Sequence, residues 1–278
     1  MSEKTSLSVL ACQIAVPVTI NVAQRDAHLI SSAHKVNQAL TDQTAQLVVL
    51  PELSSIDYSR EAFDQLNDLA EALDGPSFQC WSKVAKQHQA YIVYSFPYRD
   101  GNETYICIAV VDDEGELLDH YNKLHLAQYG ASMEKGYFQR GKHIFIFQLG
   151  GFNIAPIICY DIRISELART LTVDHNVDFI LHCGAYYRDE SFETWHPFAK
   201  TRAMENQVYL LSLNRAGTHY GQSLFCEPWI DEKNAAVEFD HHEEQFMRLE
   251  LHKQVLLNAR DNYTFLKDRL STYNLPNL

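Results

Sequence analysis

The 278-residue sequence has no excess of basic residues and no cluster of them. It contains 23 Lys and Arg residues against 36 Asp and Glu residues, which gives a formal net charge of −13 at pH 7. Because neutralising phosphates requires clustered Lys and Arg, this balance argues against a nucleic-acid partner. No window of five residues is basic enough to bind an anionic membrane surface either.

The sequence also lacks a long apolar run and any paired spacing of metal-ligating side chains. No stretch approaches the ~18 apolar residues needed to span a bilayer, and the N-terminus has no apolar core of signal-peptide length, which predicts a cytoplasmic protein. Six cysteines are dispersed singly and are predicted to be free thiols. The thirteen histidines include no His-Glu-x-x-His motif, so we predict no metal site and no cofactor.

What the sequence does have is apolar residues, 46% of the total, in alternating helical and strand periods. Apolar residues within 29–40 repeat on one helical face behind the candidate N-cap Asn21, and 46–50 form a short buried strand. A second helical period is predicted over 63–73, and a hairpin over 104–122. Helices that alternate with apolar strands indicate an α/β layered fold with helices on both faces.

No linker rich in Ser, Gly or Pro divides the chain, and no fixed-period repeat is present. The sequence therefore predicts a single domain over residues 1–278. Its core is expected to span about 7–255, followed by a C-terminal tail over about 256–278 with a mixed pattern.

Three polar residues directly follow apolar strands: Glu52, Lys123 and Cys159. Each alone has an ordinary explanation, as a helix cap, a solvated strand end and a small core residue respectively. In open α/β sheets, however, ligands bind at the carboxyl edge of the strands, so we expect all three to converge at one sheet edge. A carboxylate base, a cation and a thiol nucleophile together form a complete set for attacking a carbonyl-type carbon.

The segments that carry these residues are Leu50-Pro-Glu-Leu53, Asn122-Lys-Leu-His-Leu126 and Ile158-Cys-Tyr-Asp-Ile-Arg163. In this order they resemble the three signature blocks of the nitrilase superfamily, the carbon–nitrogen hydrolases. The resemblance covers nearly the whole chain and includes Arg202–Gln207 and Asn214-Arg215. It implies a four-layer α-β-β-α sandwich and a homodimer or higher even-numbered homo-oligomer, formed through helices near the nucleophile.

The residues support a mechanism through a thioester. We expect Glu52 to take the thiol proton of Cys159, and the thiolate to attack the carbonyl of a small-molecule amide. The oxyanion would be held by the Lys123 ammonium and the backbone N–H of Tyr160. Thiols titrate near ~8.5 and carboxylates near ~4.3. Lys123 and a helix N-terminus are expected to favour the thiolate, and burial to raise the pKa of Glu52.

Two further site residues are implied by the resemblance. Glu134 lies in a segment similar to one in which a second glutamate precedes a Phe and a Gly, and its implied role is to orient Lys123 and the substrate. The alternative for Glu134 is a solvated loop position. Tyr58 follows Glu52 at the spacing of a family pocket tyrosine, which makes it a candidate substrate-binding residue.

Tyr186 and Trp195 flank the end of a predicted strand on the same edge. They are candidates for a pocket that binds a short aliphatic chain, with core or interface packing as the alternative. Asp161 and Arg163 are interpreted as structural, an acid–base pair that fixes the junction after the nucleophile.

Tyr160-Asp161 follows the nucleophile where true nitrilases typically have Trp-Glu, which favours amide over nitrile hydrolysis. The pattern resembles the Nit-type, ω-amidase-like branch, whose substrates are small linear amides. Hydrolysis of N-carbamoyl compounds or nitriles by the same three residues remains an alternative. From other classes, we keep a catalytically weak binding or scaffold relative and a thiol redox enzyme, although no resolving cysteine lies near Cys159.

Overall fold

The computed structural model describes residues 5–273 and contains two sheets. The strands of the first sheet are β1 (Ser6–Gln13), β2 (Leu47–Val49), β3 (Tyr91–Asp100), β4 (Glu103–Val111), β5 (Leu117–Asn122) and β12 (Gln245–His252). The strands of the second are β6 (Phe147–Leu149), β7 (Phe152–Ile158), β8 (Phe179–Cys183), β9 (Tyr209–Leu213), β10 (Leu224–Cys226) and β11 (Val237–Glu238).

Eight helices accompany the strands within residues 5–273. They are α1 (Val22–Asp42), α2 (Arg60–Phe63), α3 (Leu66–Leu69), α4 (Pro76–His88), α5 (Ser165–Val173), α6 (Phe192–Asn206), α7 (Lys253–Asn262) and α8 (Phe265–Asp268). As predicted, Asn21 caps α1, since its side chain accepts a hydrogen bond from the Gln24 backbone N–H at 3.0 Å. Within the described part of the chain, none of these helices has the length and apolar character required to cross a bilayer.

The strand directions determine at which edge of its sheet the carboxyl end of each strand lies. The first sheet has the order β12-β1-β2-β3-β4-β5, in which β1, β2 and β3 are parallel. Two hairpins, β3–β4 and β4–β5, turn β5 back into the direction of β2, so the carboxyl ends of β2 and β5 lie at the same edge. The second sheet has the order β11-β10-β9-β8-β7-β6, and β7, β8 and β9 run parallel.

The side chains of β1 alternate between two core clusters, and this alternation shows how the layers pack. Leu7, Val9 and Ala11 belong to the core that includes the second sheet, whereas Leu10 and Cys12 pack in a separate cluster with α1 and α4. Successive side chains of a strand point to opposite faces, so the first sheet is buried on both sides. The second sheet is covered in turn by α5 and α6. This arrangement confirms the predicted four-layer α-β-β-α sandwich.

The continuous helical period predicted over 63–73 is wrong. The chain forms the two short helices α2 and α3 and becomes extended at Ala70. The Glu71 backbone N–H then donates to the Pro97 carbonyl, and the Arg99 N–H donates to the Glu71 carbonyl, both at 2.8 Å. Because β2 is much shorter than β3, the end of β3 lacks a strand partner on the side that faces β2, and residue 71 occupies that place instead of continuing a helix.

Part of the predicted tail, about 256–278, is ordered against the core. Leu256 and Ala259 are buried on α7, and the Gln207 side-chain amide donates to the Ala259 and Tyr263 carbonyls at 2.9 and 2.7 Å. Residues 274–278 of that segment lie outside the described residues. The division into one domain with a tail stays a prediction.

Because two histidines are buried, we expect the protein to lose stability in mild acid. Burial lowers the pKa of both His28 and His182 to about 4, whereas an unfolded histidine titrates near ~6.5. Between these values the unfolded chain binds more protons than the folded one. The free energy of unfolding is therefore not reduced by these histidines above pH ~6.5. As the pH falls from ~6.5 to about 4, each histidine lowers it by up to about 3 kcal/mol.

We expect His28→Gln to flatten the pH dependence of the free energy of unfolding in the acid range, because the variant no longer releases a proton on folding. Urea denaturation at a series of fixed pH values measures this dependence. Curves for the variant and the wild type that remain parallel through this range would show that His28 folds without losing a proton.

Candidate active site

Cys159 lies where β7 ends and a five-residue 3-10 turn (Cys159–Arg163) begins. Its backbone φ of +43° is in the left-handed region, which costs a non-glycine residue about 1–2 kcal/mol. Cys159 is 9% exposed, whereas four of the other five cysteines are fully buried. Tyr160 is the second residue of the turn, a position whose backbone N–H has no acceptor within the turn itself.

Asp161 links this turn to residues at the end of β5 through hydrogen bonds. Its buried carboxylate accepts hydrogen bonds from the Ile158 backbone N–H at 3.0 Å and from the Tyr121 hydroxyl at 2.7 Å. It also accepts one from the His125 backbone N–H at 2.9 Å and lies 2.7 Å from the His125 Nδ1 atom. Tyr121 and His125 flank Lys123 in the sequence, so Asp161 sets the position of the nucleophile relative to the Lys123 segment.

The predicted pair between Asp161 and Arg163 is wrong. Asp161 turns inward to β5, whereas Arg163 turns toward α6 and donates to the Thr194 hydroxyl at 2.9 Å. The Arg163 guanidinium also lies 5.0 Å from the centre of the Phe198 ring. Two residues of opposite charge at this spacing do not pair here, because the turn directs one side chain towards β5 and the other towards α6.

A buried charge network lies at the carboxyl ends of β2 and β5. The Lys123 Nζ atom is 2.8 Å from Glu52 Oε1 and 2.6 Å from Glu134 Oε1. All three side chains are completely buried, which excludes the solvated alternatives for Lys123 and Glu134. Charges buried in this way are retained only when they are paired and hydrogen-bonded.

The two carboxylates of the network are not equivalent. Glu134 Oε1 also accepts from the Tyr58 hydroxyl at 2.7 Å, and its Oε2 accepts from the Ala127 backbone N–H at 2.9 Å. Glu52 Oε2 is buried and has no hydrogen-bond partner among the described residues. Both oxygens of Glu134 therefore accept hydrogen bonds from the protein, whereas Glu52 keeps one oxygen without a donor that can receive a proton.

The pKa shifts follow from burial and from these neighbours. Burial raises the pKa of Glu52, and the nearby charge of Glu134 adds to this rise, while Lys123 opposes it. Burial by itself would lower the pKa of Lys123, but the carboxylates of Glu134 and Glu52 outweigh it and raise the pKa well above its ordinary value. Lys123 therefore stays an ammonium at neutral pH.

As expected, the charge of Lys123 favours the Cys159 thiolate, but it is not the largest influence on the pKa of that thiol. Burial and the charge of Glu52 raise the pKa of Cys159, and Lys123 offsets only part of this rise. The thiol is therefore protonated at neutral pH. A thiol in this state needs a base before it can act as a nucleophile, and the unpartnered oxygen of Glu52 is a candidate for that base.

The sequence predicted that Glu52, Lys123 and Cys159 meet at one sheet edge, and this detail is wrong. Glu52 and Lys123 follow strands of the first sheet, but Cys159 follows β7 of the second. The three lie close enough that the charges of Glu52 and Lys123 both shift the pKa of the Cys159 thiol. The site is thus built between the two sheets.

Arg215 is a site residue whose contacts the sequence did not reveal. It is 1% exposed and follows β9 of the second sheet, yet its guanidinium donates to three carbonyls of the Glu52 loop. The acceptors are Glu52 O at 2.9 Å, Leu53 O at 2.6 Å and Ile56 O at 2.9 Å. An arginine directly after an apolar strand was the available signal, of the same kind that pointed to Lys123.

The aromatic candidates occupy different positions. Tyr58 contacts Glu134, and the Tyr186 hydroxyl donates to the Cys159 carbonyl at 2.9 Å. Trp195 is completely buried and stacks on Tyr186, with 4.5 Å between ring centres. Its packing role is thus visible in the structure, and contact with a substrate stays a prediction for all three residues.

Comparisons with known proteins agree with this arrangement. A family model described as carbon–nitrogen hydrolase matches residues 9–239. The 2-oxoglutaramate amidase of Bacillus subtilis is 31% identical over 81% of this chain and 85% of its own length. The omega-amidase NIT2 of Danio rerio is 26% identical over 91% of this chain and 92% of its own, and a nitrilase of Pyrococcus abyssi is 30% identical over 87% and 91%.

The fold is also similar to that of Saccharomyces cerevisiae Nit3, a member of branch 10 of the nitrilase superfamily. The two structures superpose with a TM-score of 0.80 over 93% of this chain and 94% of that one, at 23% sequence identity. The family model covers most of the sequence, and several relatives match over most of both chains. The chain therefore belongs to the carbon–nitrogen hydrolase family, whose members named here include amidases that act on non-peptide C–N bonds, and it is an enzyme of that class.

Proposed function

We propose that this protein hydrolyses the C–N bond of a small linear amide through a thioester on Cys159. The observation that carries the proposal is the unpartnered, buried oxygen of Glu52, held beside an ammonium and within electrostatic reach of a protonated thiol. An unsatisfied buried acceptor destabilises the fold, and this one belongs to a carboxylate whose charge acts on the Cys159 thiol.

In the first half-reaction Glu52 Oε2 takes the proton of Cys159 as the sulfur attacks the amide carbon. The Lys123 ammonium has three N–H groups, and Glu52 and Glu134 use two of them. The third N–H and the backbone N–H of Tyr160 stabilise the oxyanion. Glu52 then returns the proton to the nitrogen, the C–N bond breaks, and ammonia or an amine leaves.

In the second half-reaction Glu52 takes a proton from water, and the resulting hydroxide attacks the thioester carbon. The oxyanion forms again beside Lys123, the C–S bond breaks, and the thiol regains its proton from Glu52. The products are the free enzyme and a carboxylic acid, which loses its proton to solvent and leaves as the carboxylate. Glu134 holds Lys123 in place throughout, since its Oε1 atom accepts from the Lys123 ammonium while Tyr58 and the Ala127 N–H fix its carboxylate.

The proposed substrate class rests on Tyr160-Asp161 after the nucleophile and on the relatives named as amidases. N-carbamoyl compounds and nitriles are the alternatives, and the relative named nitrilase supports the latter. The proposal includes a homodimer or higher even-numbered homo-oligomer formed through helices near Cys159, as the family resemblance implies, and a cytoplasmic location, as expected from the sequence.

We expect a panel assay to show ammonia release from ω-amides of short dicarboxylates and from simple aliphatic amides. N-carbamoyl amino acids and aliphatic nitriles are assayed in parallel, because the same three residues support each reaction. Cys159→Ala should abolish release while thermal unfolding stays close to that of the wild type. Ammonia from nitriles but none from amides would overturn the proposed substrate class.

Iodoacetamide labelling distinguishes an activated thiol from an inert one. Among the six cysteines, all of which lie within residues 5–273, only Cys159 and Cys80 are not completely buried, and burial raises the pKa of both thiols. We expect Cys159 to be labelled much faster than Cys80 at pH 7, in parallel with loss of activity, because Glu52 can accept its proton. Peptide mass spectrometry measures both rates. Equal or slower labelling of Cys159 would favour a scaffold protein.

Two isosteric variants distinguish the proposed roles of the Glu52 and Glu134 carboxylates. Glu52→Gln should eliminate the burst of first product, because no base then receives the thiol proton. Glu134→Gln should keep a burst and shift the acid limb of kcat/KM to lower pH, because the charge of Glu134 raises the pKa of Glu52. Stopped-flow assays from pH 4 to 9 measure both effects. A normal burst with Glu52→Gln would refute its role as the base.

A further inference from the structure

His182 is a fully buried residue of β8 that takes no part in the proposed reaction. Its Nε2 atom lies 2.9 Å from the Cys159 carbonyl, and its Nδ1 atom lies 2.7 Å from the Ser212 hydroxyl. The Trp195 indole N–H donates to that same hydroxyl at 2.7 Å. The four residues form a hydrogen-bonded chain that ends on the backbone of the nucleophile.

Only one arrangement of protons satisfies this chain. A backbone carbonyl only accepts and an indole N–H only donates, so His182 must carry its proton on Nε2 and accept on Nδ1. Ser212 then accepts from Trp195 and donates to His182, and every polar group is used. A proton on Nδ1 would leave the Ser212 hydroxyl hydrogen without its partner in a fully buried site. The lowered pKa of His182 agrees with a neutral ring.

The carbonyl that receives this bond belongs to the most constrained backbone of the site. Cys159 has a φ of +43°, which a non-glycine residue keeps only when its surroundings hold it. Two donors reach its carbonyl, His182 Nε2 and the Tyr186 hydroxyl, each at 2.9 Å. Rotation of this peptide would move the thiol relative to Glu52 and Lys123.

We infer that His182 is a positioning residue, which holds the left-handed backbone of Cys159 so that the sulfur points between Glu52 and the oxyanion site. The imidazole does not act as a base, because its Nε2 proton is committed to a carbonyl and its Nδ1 lone pair to Ser212. Trp195 and Ser212 fix its tautomer. The inference rests on the proposed function, in that Cys159 is taken as the nucleophile.

A matched pair of variants tests this role. The side-chain amide of Gln reaches the place of the imidazole Nε2 and can still donate to the Cys159 carbonyl, whereas that of Asn reaches only the place of Nδ1. We expect His182→Asn to lower kcat roughly 10- to 100-fold with KM near the wild-type value, because misplacement of a reacting atom by about 1 Å has effects of this size. His182→Gln should keep most of kcat.

Ile180→Ala is the control for loss of packing, since Ile180 is buried two residues earlier on the same face of β8. It should lower the unfolding temperature and leave kcat unchanged. If both His182 variants instead behave like this control, with a lowered unfolding temperature and an unchanged kcat, His182 is only a core residue and the inference fails. If His182→Asn does not fold, Ser212→Ala removes the group that fixes the tautomer, and unchanged kcat in that variant overturns the inference.

The rate at which iodoacetamide labels Cys159 provides a readout independent of turnover. We expect slower labelling in His182→Asn and near-wild-type labelling in His182→Gln. A wild-type protein that releases no ammonia from any amide would refute the proposed function, while the labelling ratio would still decide the positioning role. Active wild-type protein with equal labelling and equal kcat in both variants would refute the positioning role alone.

Discussion

The site depends on one buried ammonium held between two carboxylates. Removing Lys123, Glu52 and Glu134 from water costs several kcal/mol for each ion, and their attraction offsets this cost only when the remaining lone pairs are also satisfied. Tyr58 and the Ala127 N–H satisfy Glu134. Glu52 is left with one oxygen free. The network therefore combines a fixed cation with a single vacant proton acceptor, and the proposed chemistry uses both.

Burial alone does not bring the proton of Cys159 to Glu52, because it raises both pKa values. In the proposed reaction, transfer becomes favourable when the sulfur attacks and negative charge moves to an oxygen beside Lys123, whose own pKa is raised. Deprotonation and attack would thus be coupled by the same charge network. With this coupling, a thiol that is protonated at rest would still serve as a nucleophile.

The geometry is kept by contacts that cross from one sheet to the other. Arg215, after β9, holds the carbonyls of the Glu52 loop, and Asp161, after β7, holds the segment that contains Lys123. The nucleophile and its partners come from different sheets, so the sandwich must be complete before the site exists. Such cross-sheet polar contacts also require a unique packing of the layers, since each would otherwise leave a buried group unpaired.

The sequence by itself determined the helices with a clear period, such as α1 behind Asn21, and it pointed to Glu52, Lys123 and Cys159 as candidate catalytic residues, because residue type and strand-end position are local properties. Only the tertiary structure decided that Cys159 comes from the second sheet and that Glu52, not Glu134, keeps a free oxygen. It also decided that residue 71 pairs with β3 instead of continuing a helix. The reason is physical: each of these outcomes depends on which groups, distant along the chain, compete for one hydrogen bond in a buried space.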